Sequence, residues 1–468
     1  MATIAEKEKG SWNELLSGKN GLRAIALAAG VILHATDVYL ATTIMPSVIE
    51  EIGGLSFYSW ATTIYVVAAI IGSVISSSNL IKQGPKKAYT LAALIFAIGA
   101  VICTLAPAMY ILLIGRFIQG IGGGLLFALS YAMIGILFQE KLWPRAMALV
   151  SAMWGVSTFF GPLIGGSFAQ YSHWRMAFLT LAVCALLLII LIQVVLPKSI
   201  KETKALPVIP WSKLILITAA TLAVSMGAAS THVIIKLSGI LIAVVLFVIM
   251  VITDKKSTNS LLPRGSYNMT SSLGATYMIM ALLTISTAVE IYIPYFMREI
   301  HKFGPLKAGY LTVLIGLGWS LSSVFFSGAK QNKVIRLISI GIMIVFVGLC
   351  GLSFIIPSFH STNGIGFVAM CIFLLSIGVG VGMGWPHLLT KVLSSAPKGE
   401  EEKASASITT VQLFSTAFGT ALCGLVANAT GILTPGGVSG SQQAALWLFG
   451  LFSIAPLMAI IIFRKINK

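Results

Sequence analysis

The sequence predicts an all-α integral membrane protein with fourteen transmembrane helices: two six-helix bundles with a two-helix hairpin inserted between them. Of the 468 residues, 57% are apolar and only 10% are charged. The mean hydropathy is far above that of a soluble domain. Apolar runs of about 20 residues or more, the length that crosses the ~30 Å hydrocarbon core, recur along the whole chain. These observations exclude a water-soluble fold.

The first bundle is assigned to residues 1–200, where six long apolar runs are separated by short polar segments. A helix satisfies its backbone hydrogen bonds internally, so each run predicts one helical span in a membrane. The predicted spans 1 to 6 lie at 22–49, 58–79, 88–106, 109–138, 145–170 and 174–196.

The middle segment, residues 201–265, begins with a charged linker and continues as an apolar run from Lys213 to Thr253. At 1.5 Å per residue this run is about twice as long as one crossing needs. Because the polar stretch 230–232 divides it, we predict a hairpin of spans 7 and 8. The second bundle, residues 266–468, holds predicted spans 9 to 14 at 269–297, 306–328, 334–357, 364–392, 404–430 and 443–463.

Span 5 contains a glycine-rich stretch that recurs in the second bundle. Residues 157–170 read STFFGPLIGGSFAQ and residues 415–428 read STAFGTALCGLVAN, with six of the fourteen positions identical. Gln170 is matched by Asn428, a similar amide. Small residues let helices approach closely, and a proline such as Pro162 bends its helix. One copy per half predicts two related bundles, with the strong bend only in the first, since Thr420 replaces the proline.

The distribution of basic residues predicts the topology. A net charge of +17 suggests a nucleic-acid partner in a soluble protein, but here the basic residues lie between apolar runs. With the N-terminus inside, most of the 31 lysines and arginines fall on the inner side, and the segment 298–307 is an exception. We therefore expect a multi-pass protein of the cell (cytoplasmic or inner) membrane with both termini cytoplasmic.

Two further features narrow the class. The charged N-terminus lacks the marks of a cleaved signal peptide, so the first span is expected to remain as the anchor. The five cysteines lie within apolar runs and show neither a disulfide framework nor metal-ligand spacing. We expect no nucleic acid, no metal and no other cofactor.

Three groups of residues carry a resemblance to a known family. The first is Asp37 with Thr42, Thr43, Met45 and Pro46 in span 1. The second is Arg116, Gln119, Gly120 and Gly122 in span 4. The third is Gly155, Gly161, Pro162, Gly165 and Gly166 in span 5. Over essentially its whole length the chain resembles the major facilitator superfamily, and within it the fourteen-span drug:proton antiporters. The resemblance implies the major facilitator fold, an antiporter motif in span 5 and a role for Arg116 in proton coupling.

The loop after span 2 departs from that family's pattern, G-x-x-x-D-R/K-x-G-R-K/R. The gating-loop residues that we expect are Gly72, Gly84, Lys86 and Lys87, but Ile81 stands where the aspartate belongs. In the family this acid is thought to hold an inward-closed latch. The departure puts that gating interaction in doubt for this chain, and not the fold.

The ionisable residues well inside the predicted spans are Asp37, Arg116 and Glu290, with His34 one turn before Asp37. A charge at the bilayer centre costs about 2.5–3.5 kcal/mol on insertion scales, so such residues normally face a cavity or a partner. A carboxyl group in an apolar cavity can exchange protons near neutral pH and, when ionised, attracts a cation. We assign proton coupling to Asp37, Glu290, Arg116 and His34.

Each of these assignments has an alternative. The alternative for Asp37 is a structural ion pair with Arg116. The alternative for Arg116 is a helix-packing residue that is hydrogen-bonded to backbone carbonyls. For Glu290 the alternative is a carboxylate that reaches Arg298 near the outer interface. His34 shares a helix face with Asp37 and relays protons, or it is a contact residue whose hydrogen bonds are satisfied.

Aromatic side chains near the span centres predict a cavity for flat, lipophilic or cationic compounds, although each of them singly fits a packing role as well. The group comprises Tyr39, Tyr65, Trp154, Phe159, Tyr292, Trp319 and Trp385. The residues assigned to the substrate cavity are Tyr39, Trp154, Tyr292 and Trp385.

The expected function is proton-coupled multidrug export by alternating access, without enzymatic activity. The sequence shows no phosphate-cradling loop, nucleotide fold or nucleophile triad, so an ion gradient is the expected energy source. The expected partners are a small-molecule substrate, protons and the lipid bilayer, and we expect a monomer. One alternative is an exporter of a single endogenous metabolite, such as a siderophore or an amino acid. Another is a transport-inactive membrane sensor or scaffold.

Overall fold

The computed structural model describes residues 11–198, 209–257, 259–358 and 364–466, and the regular elements within them are helices. In the first half, span 1 is Gly18–Ile52, spans 2 and 3 share Trp60–Thr104, span 4 is Met109–Ala132, span 5 is Trp143–Tyr171 and span 6 is Trp174–Val195. The hairpin spans 7 and 8 are Trp211–Ala229 and Val233–Lys256. The charged linker predicted to begin at residue 201 lies largely outside the described residues.

The second half follows the same plan. Span 9 combines Ser272–Thr287, the tight turn Ala288–Tyr292 and Ile293–Glu299, and spans 10 to 14 are Pro305–Phe326, Gln331–Ser358, Gly364–Ser394, Glu401–Thr430, and Gly437–Phe452 continued by Ile454–Ile466. A short helix at Trp12–Leu16 precedes span 1, and short elements at Leu55–Phe57, Ile134–Leu137 and Glu140–Leu142 connect spans of the first half.

Among the described residues, 13 helical segments are long and apolar enough to cross a membrane. One of them, Leu55–Thr104, has 50 residues, which at helical rise is about 75 Å and enough for two crossings. Its backbone turns at Gly84, where φ is 77°, a conformation that glycine adopts without strain. Residues 60–83 and 85–104 therefore form spans 2 and 3. The predicted all-α fold is confirmed, and this division brings the crossings to fourteen.

Span 9 differs from the continuous helix predicted at 269–297. The α-helix ends at Thr287, the turn Ala288–Tyr292 follows, and a short α-helix begins at Ile293. Pro294 stands in the first turn of that short helix, where its missing N–H group costs no intrahelical hydrogen bond. The interruption places Glu290 in the middle of a non-α turn inside the membrane.

The two ends of the molecule differ in charge. We call the end that carries Lys82, Lys86 and Arg336 the basic end, and the end that carries Glu50 and Arg298 the far end. Span 1 runs from the basic end to the far end, and the later spans alternate in direction.

The spans pack as two related sets. Span 1 packs on span 5 in the first bundle, as span 9 packs on span 13 in the second. Span 5 also packs against span 10 of the second bundle, and span 13 against span 2 of the first. The two copies of the sequence repeat therefore lie at equivalent positions, one at each seam between the bundles.

The hairpin lies beside span 13, which it contacts through small and aliphatic side chains. At the basic end, Lys213 and Asp254 are buried and lie 3.5 Å apart, measured from Nζ to Oδ1. Asp254 also accepts a hydrogen bond from the Tyr267 hydroxyl at 2.7 Å. Because Tyr267 belongs to the connector that leads into span 9, this cluster ties the hairpin to the second bundle.

Candidate functional site

Asp37 of span 1 and Arg116 of span 4 form a buried ion pair. Nη1 of Arg116 lies 2.8 Å and 2.6 Å from the two carboxylate oxygens of Asp37, and neither residue is exposed to solvent. Desolvation costs several kcal/mol per ion, and only close, well-bonded pairing offsets it. In this conformation Asp37 and Arg116 thus form the ion pair that the sequence analysis gave as an alternative.

Three neutral groups also hold Arg116. Nη1 donates to Oε1 of Gln119 at 2.9 Å, Nε donates to the Ala61 carbonyl at 3.2 Å, and the ring centre of Tyr65 lies 4.2 Å from the guanidinium carbon. Nη2 of Arg116 and Nε2 of Gln119 have no hydrogen-bond partner among the described residues. These contacts do not depend on Asp37, so they keep Arg116 in position when the charge of Asp37 changes.

The glycines of the fourth-span motif make this arrangement possible. A Cβ atom on Gly120 would overlap the carbonyl oxygen of Tyr65, and one on Gly122 would overlap the backbone nitrogen of Phe96. Spans 2 and 3 therefore contact span 4 backbone to backbone, as small residues permit in membranes. This close approach brings Tyr65 over Arg116.

His34 lies on the other side of Tyr65. The Tyr65 hydroxyl is 2.8 Å from Nδ1 of His34, which is 2% exposed. The rings of Trp154 and Phe127 contact the imidazole, with centroids at 5.8 Å and 5.2 Å. The structure therefore joins His34, through Tyr65, to the ion pair, a link that the sequence did not reveal because Tyr65 was only one of several central aromatic residues.

Glu290 stands apart from this cluster, in the turn that interrupts span 9. The other four residues of the turn Ala288–Tyr292 are buried, whereas Glu290 is half-buried. No hydrogen bond or ion pair joins its carboxylate to another residue in the described part of the chain. The turn contacts span 1 of the first bundle, which also carries the half-buried Tyr39. The turn that carries Glu290 thus lies where the second bundle meets the first.

The basic segment 298–307, which contradicted the charge asymmetry, lies at the far end. Nη2 of Arg298 is 2.6 Å from both carboxylate oxygens of Glu50, and Nη1 is 2.6 Å from the hydroxyl of Ser47. Arg298 is therefore bound by the first bundle. It does not neutralise Glu290, which was the alternative that the sequence offered.

The antiporter motif packs span 5 against span 1. A Cβ atom on Gly161 would lie 2.5 Å from Cβ of Tyr39, and one on Gly165 would lie 3.1 Å from Cγ2 of Ile44. Pro162 is buried, and the helix Trp143–Tyr171 continues through it. These residues set the distance between two helices and offer no ligand group.

The same motif also reaches the second bundle. A Cβ atom on Gly166 would lie 2.8 Å from Cα of Leu306, at the start of span 10. Gly155 has more room, since its added Cβ would be 3.4 Å from the Ser320 hydroxyl oxygen. The motif therefore forms part of the seam between the bundles.

The gating-loop residues make their contacts inside the first bundle. Gly72 packs on span 4, and Gly84 forms the turn between spans 2 and 3. Nζ of Lys86 donates to the carbonyl of Gln193 in span 6 at 2.5 Å, while Lys87 is exposed. The loop thus fastens span 3 to span 6 at the basic end.

The four candidate cavity residues divide into two pairs. Tyr39 and Trp154 are half-buried; Tyr39 lies against Gly161 of span 5, and Trp154 contacts the His34 imidazole. Tyr292 is fully buried, with its ring stacked on Tyr58 at a centroid distance of 4.7 Å, and Trp385 is 7% exposed. In this conformation Tyr292 and Trp385 are packing residues.

The bundles are in contact at the far end. The Arg298–Glu50 pair joins them there, and the Tyr58 hydroxyl donates to the carbonyl of Ile291 at 2.9 Å across the seam. The far end is therefore closed in this conformation. The sequence did not single out Tyr58, because an aromatic residue at the end of a predicted span carries no signal of its own.

Two related helical bundles with ionisable side chains at and near the seam between them define a multi-pass membrane transporter. A sequence profile of the Major Facilitator Superfamily matches residues 27–420, and the chain belongs to that superfamily. It is 34% identical, over 98% of its length and 97% of the relative, to a probable multidrug-efflux transporter of Mycobacterium tuberculosis.

Two further comparisons agree. The chain is 25% identical to multidrug resistance protein 3 of Bacillus subtilis, over 78% of this chain and 71% of that protein. Its fold is similar to that of a POT family transporter crystallised with 5-aminolevulinic acid, with a TM-score of 0.69, 16% identity and 98% of both chains covered. The resemblance predicted from the sequence motifs is confirmed at the level of the superfamily.

Proposed function

We propose that this protein is a proton-coupled exporter of many lipophilic, cationic compounds that works by alternating access. Its full-length similarity to a probable multidrug-efflux transporter supports the breadth of cargo. The observation that carries the proposal is Glu290, a half-buried carboxylate in a turn that contacts the first bundle, with no hydrogen-bond or ion-pair partner among the described residues. Such a group is poorly hydrated and is stabilised by a bound cation, whether a proton or an organic cation.

The orientation follows from the positive-inside rule, which makes the basic end cytoplasmic and the far end external. The membrane is then the cytoplasmic membrane, with both termini inside. The conformation with its far end closed is the one that takes up cargo from the cytoplasm.

The Asp37–Arg116 pair is the proposed coupling site in the first bundle. A proton that reaches Asp37 cancels its charge and frees Arg116 from its closest partner. In the proposed cycle Asp37 takes up a proton from the external side as cargo leaves, and loses it to the cytoplasm before new cargo enters. Tyr65 contacts both His34 and Arg116, and His34 contacts Trp154. These contacts support a proton route from His34, through Tyr65, to Asp37.

The test compares Glu290→Gln with Glu299→Gln in proteoliposomes under a pH gradient. Glu299 lies in the same span but at the far end, where its carboxylate is 3.9 Å from Nζ of Lys302. We expect Glu290→Gln to slow transport of a lipophilic cation about tenfold, the equivalent of about 1.4 kcal/mol. Transport of a neutral lipophilic compound is expected to change much less, and Glu299→Gln to leave both unchanged.

Equal loss for the cation and the neutral compound would remove Glu290 from cation recognition. A wild-type protein that moves a single metabolite and no lipophilic cation would favour the single-substrate exporter. A wild-type protein that moves nothing under a pH gradient would favour the sensor or scaffold.

A further inference from the structure

The two copies of the sequence repeat make equivalent contacts with their own bundles. In the first copy, an added Cβ on Gly161 would meet Cβ of Tyr39 at 2.5 Å in span 1. In the second copy, an added Cβ on Gly419 would meet Cβ of Ala288 at 3.0 Å in span 9. The repeat therefore fixes the same helix pair in each half, span 1 with span 5 and span 9 with span 13.

The copies also make equivalent contacts with the opposite bundle. Gly166 lies against Leu306 at the start of span 10, and its counterpart Gly424 lies against Ser59, just before span 2. Both contacts are at the far end. Each repeat copy thus forms one of the two seams that are closed in this conformation.

The last position of each copy is an amide, and each amide bonds the backbone of the opposite bundle. Oε1 of Gln170 accepts a hydrogen bond from the backbone N–H of Leu306 at 3.3 Å. Nδ2 of Asn428 donates to the carbonyl of Ser56 at 3.0 Å, and also to the carbonyl of Ala228 in the hairpin at 3.0 Å.

We propose that Gln170 and Asn428 are a matched pair of gating residues that hold the far end closed, one at each seam. Their hydrogen bonds join backbones that must separate when the far end opens. The role rests on the alternating access of the proposed function, but it does not depend on the identity of the cargo or on the proton sites.

The two amides act through opposite ends of the same functional group. Gln170 must accept, because a backbone N–H can only donate, and Asn428 must donate, because both of its partners are carbonyl oxygens. An acid of the same shape keeps the acceptor and loses the donor. Gln170→Glu should therefore preserve the hydrogen bond to Leu306. Asn428→Asp should break the hydrogen bonds of Asn428 and place a carboxylate against two carbonyl oxygens.

The hydrogen bonds of Gln170 and Asn428 also differ in strength. Asn428 is 5% exposed and makes two bonds of 3.0 Å, whereas Gln170 is exposed and makes one of 3.3 Å. Losing a buried hydrogen bond costs more than losing one that water can replace. Asn428 should therefore carry the larger share of the closure.

The experiment measures the far-end distance directly. The full-length protein, in a background without native cysteines, carries spin labels at Ser172 of the first bundle and Val438 of the second, both exposed at the far end. Pulsed electron paramagnetic resonance in lipid nanodiscs then gives the ratio of open to closed molecules. The control is Gln193→Leu, because the Gln193 amide bonds Thr90 within the first bundle at 2.9 Å.

We expect the open-to-closed ratio to rise about twofold in Gln170→Leu and about fivefold to tenfold in Asn428→Leu, as the loss of an exposed and of a buried hydrogen bond implies. Gln170→Glu should match the wild type, Asn428→Asp should open the far end, and Gln193→Leu should change nothing. The agreement of Gln170→Glu with the wild type is the result that a merely structural role does not produce.

Three results would overturn the proposal: a Gln170→Glu protein as open as Gln170→Leu, an Asn428→Asp protein that stays closed, or a Gln193→Leu protein that opens as far as Gln170→Leu. If the Asn428 variants do not fold, the exposed Gln170 variants decide the question alone.

Discussion

The exchange Asp37→Asn changes one charge in a pair that is completely buried, so its consequences can be worked out from the structure. Asparagine keeps one carbonyl oxygen for Arg116 but removes the negative charge. Leaving one member of a buried pair uncompensated costs about 3–5 kcal/mol. Because Gln119, the Ala61 carbonyl and the Tyr65 ring still hold Arg116, we expect a loss near the lower limit, about 3 kcal/mol.

The matched double variant Asp37→Asn/Arg116→Gln separates stability from coupling. It removes the uncompensated charge, so most of the lost stability should return, since neutral replacements of buried pairs are often well tolerated. Proton coupling should not return, because neither variant has a carboxylate at position 37. The expected order of thermal unfolding midpoints is wild type, double variant, then Asp37→Asn.

Two assays on the same purified protein check this reasoning. Thermal unfolding in detergent ranks the stabilities, and proteoliposomes report cargo movement with and without a pH gradient. Proton-driven export that survives in the double variant would show that the pair only packs spans 1 and 4 together. Equal stability of Asp37→Asn and the wild type would contradict the energetic argument.

Three further predictions concern packing and charge away from the coupling site. Gly161→Ala should destabilise the protein by about 1–3 kcal/mol because its Cβ would lie 2.5 Å from Cβ of Tyr39. The control is Gly155→Ala, whose Cβ would lie 3.4 Å from its nearest atom and which should have little effect on the unfolding temperature. Burial lowers the pKa of His301, a loop residue at the far end, below its ordinary value of 6.5. The contribution of His301 to stability is therefore complete above about pH 6.5 and declines as the pH falls. A His301→Gln protein should lose less stability than the wild type between pH 7 and pH 5. Asp254→Asn should cost about 3 kcal/mol because it leaves the buried Lys213 uncompensated, while Glu14→Gln at the exposed Glu14–Lys141 pair should cost less than about 1 kcal/mol.

Most of the fold follows from the sequence, because a membrane leaves few ways to arrange long apolar runs. Run length predicts the crossings, and the break at Gly84 falls within the predicted loop between spans 2 and 3. The interruption of span 9 was not predicted, because hydropathy is equally high in a helix and in a tight turn. Pro294 was the available signal, since proline is favoured in the first turn of a helix and so indicated a new start near residue 293.

The sequence identified the ionisable residues of the candidate site, but it did not show which residues pair with one another. Burial of a charge implies a partner or a cavity, so Asp37, Arg116 and Glu290 stand out in the sequence. Which acid is paired depends on how spans 1, 4 and 9 pack, and that is a tertiary property. The role of Tyr65 is tertiary for the same reason, since its contact with Arg116 requires the close approach at Gly120.

The repeat also shows that the two acids do not occupy equivalent positions in the two bundles. Gly161 faces Tyr39 and the Thr36 carbonyl as Gly419 faces Ala288 and the Ile285 carbonyl, so span 1 and span 9 correspond with one constant offset. That offset pairs Asp37 with Ser286, a buried hydroxyl bonded to its own helix, and pairs Glu290 with Ala41.

Glu290 therefore lies four residues, about 6–8 Å, closer to the far end than the position equivalent to Asp37. The first bundle holds an acid paired with Arg116, and the second holds an acid with no such partner in the described part of the chain. In the proposed mechanism a proton on Asp37 competes with Arg116, whereas a proton on Glu290 competes with cargo. The related bundles thus supply two different sites, and the Asp37 and Glu290 variants are expected to impair different steps of transport.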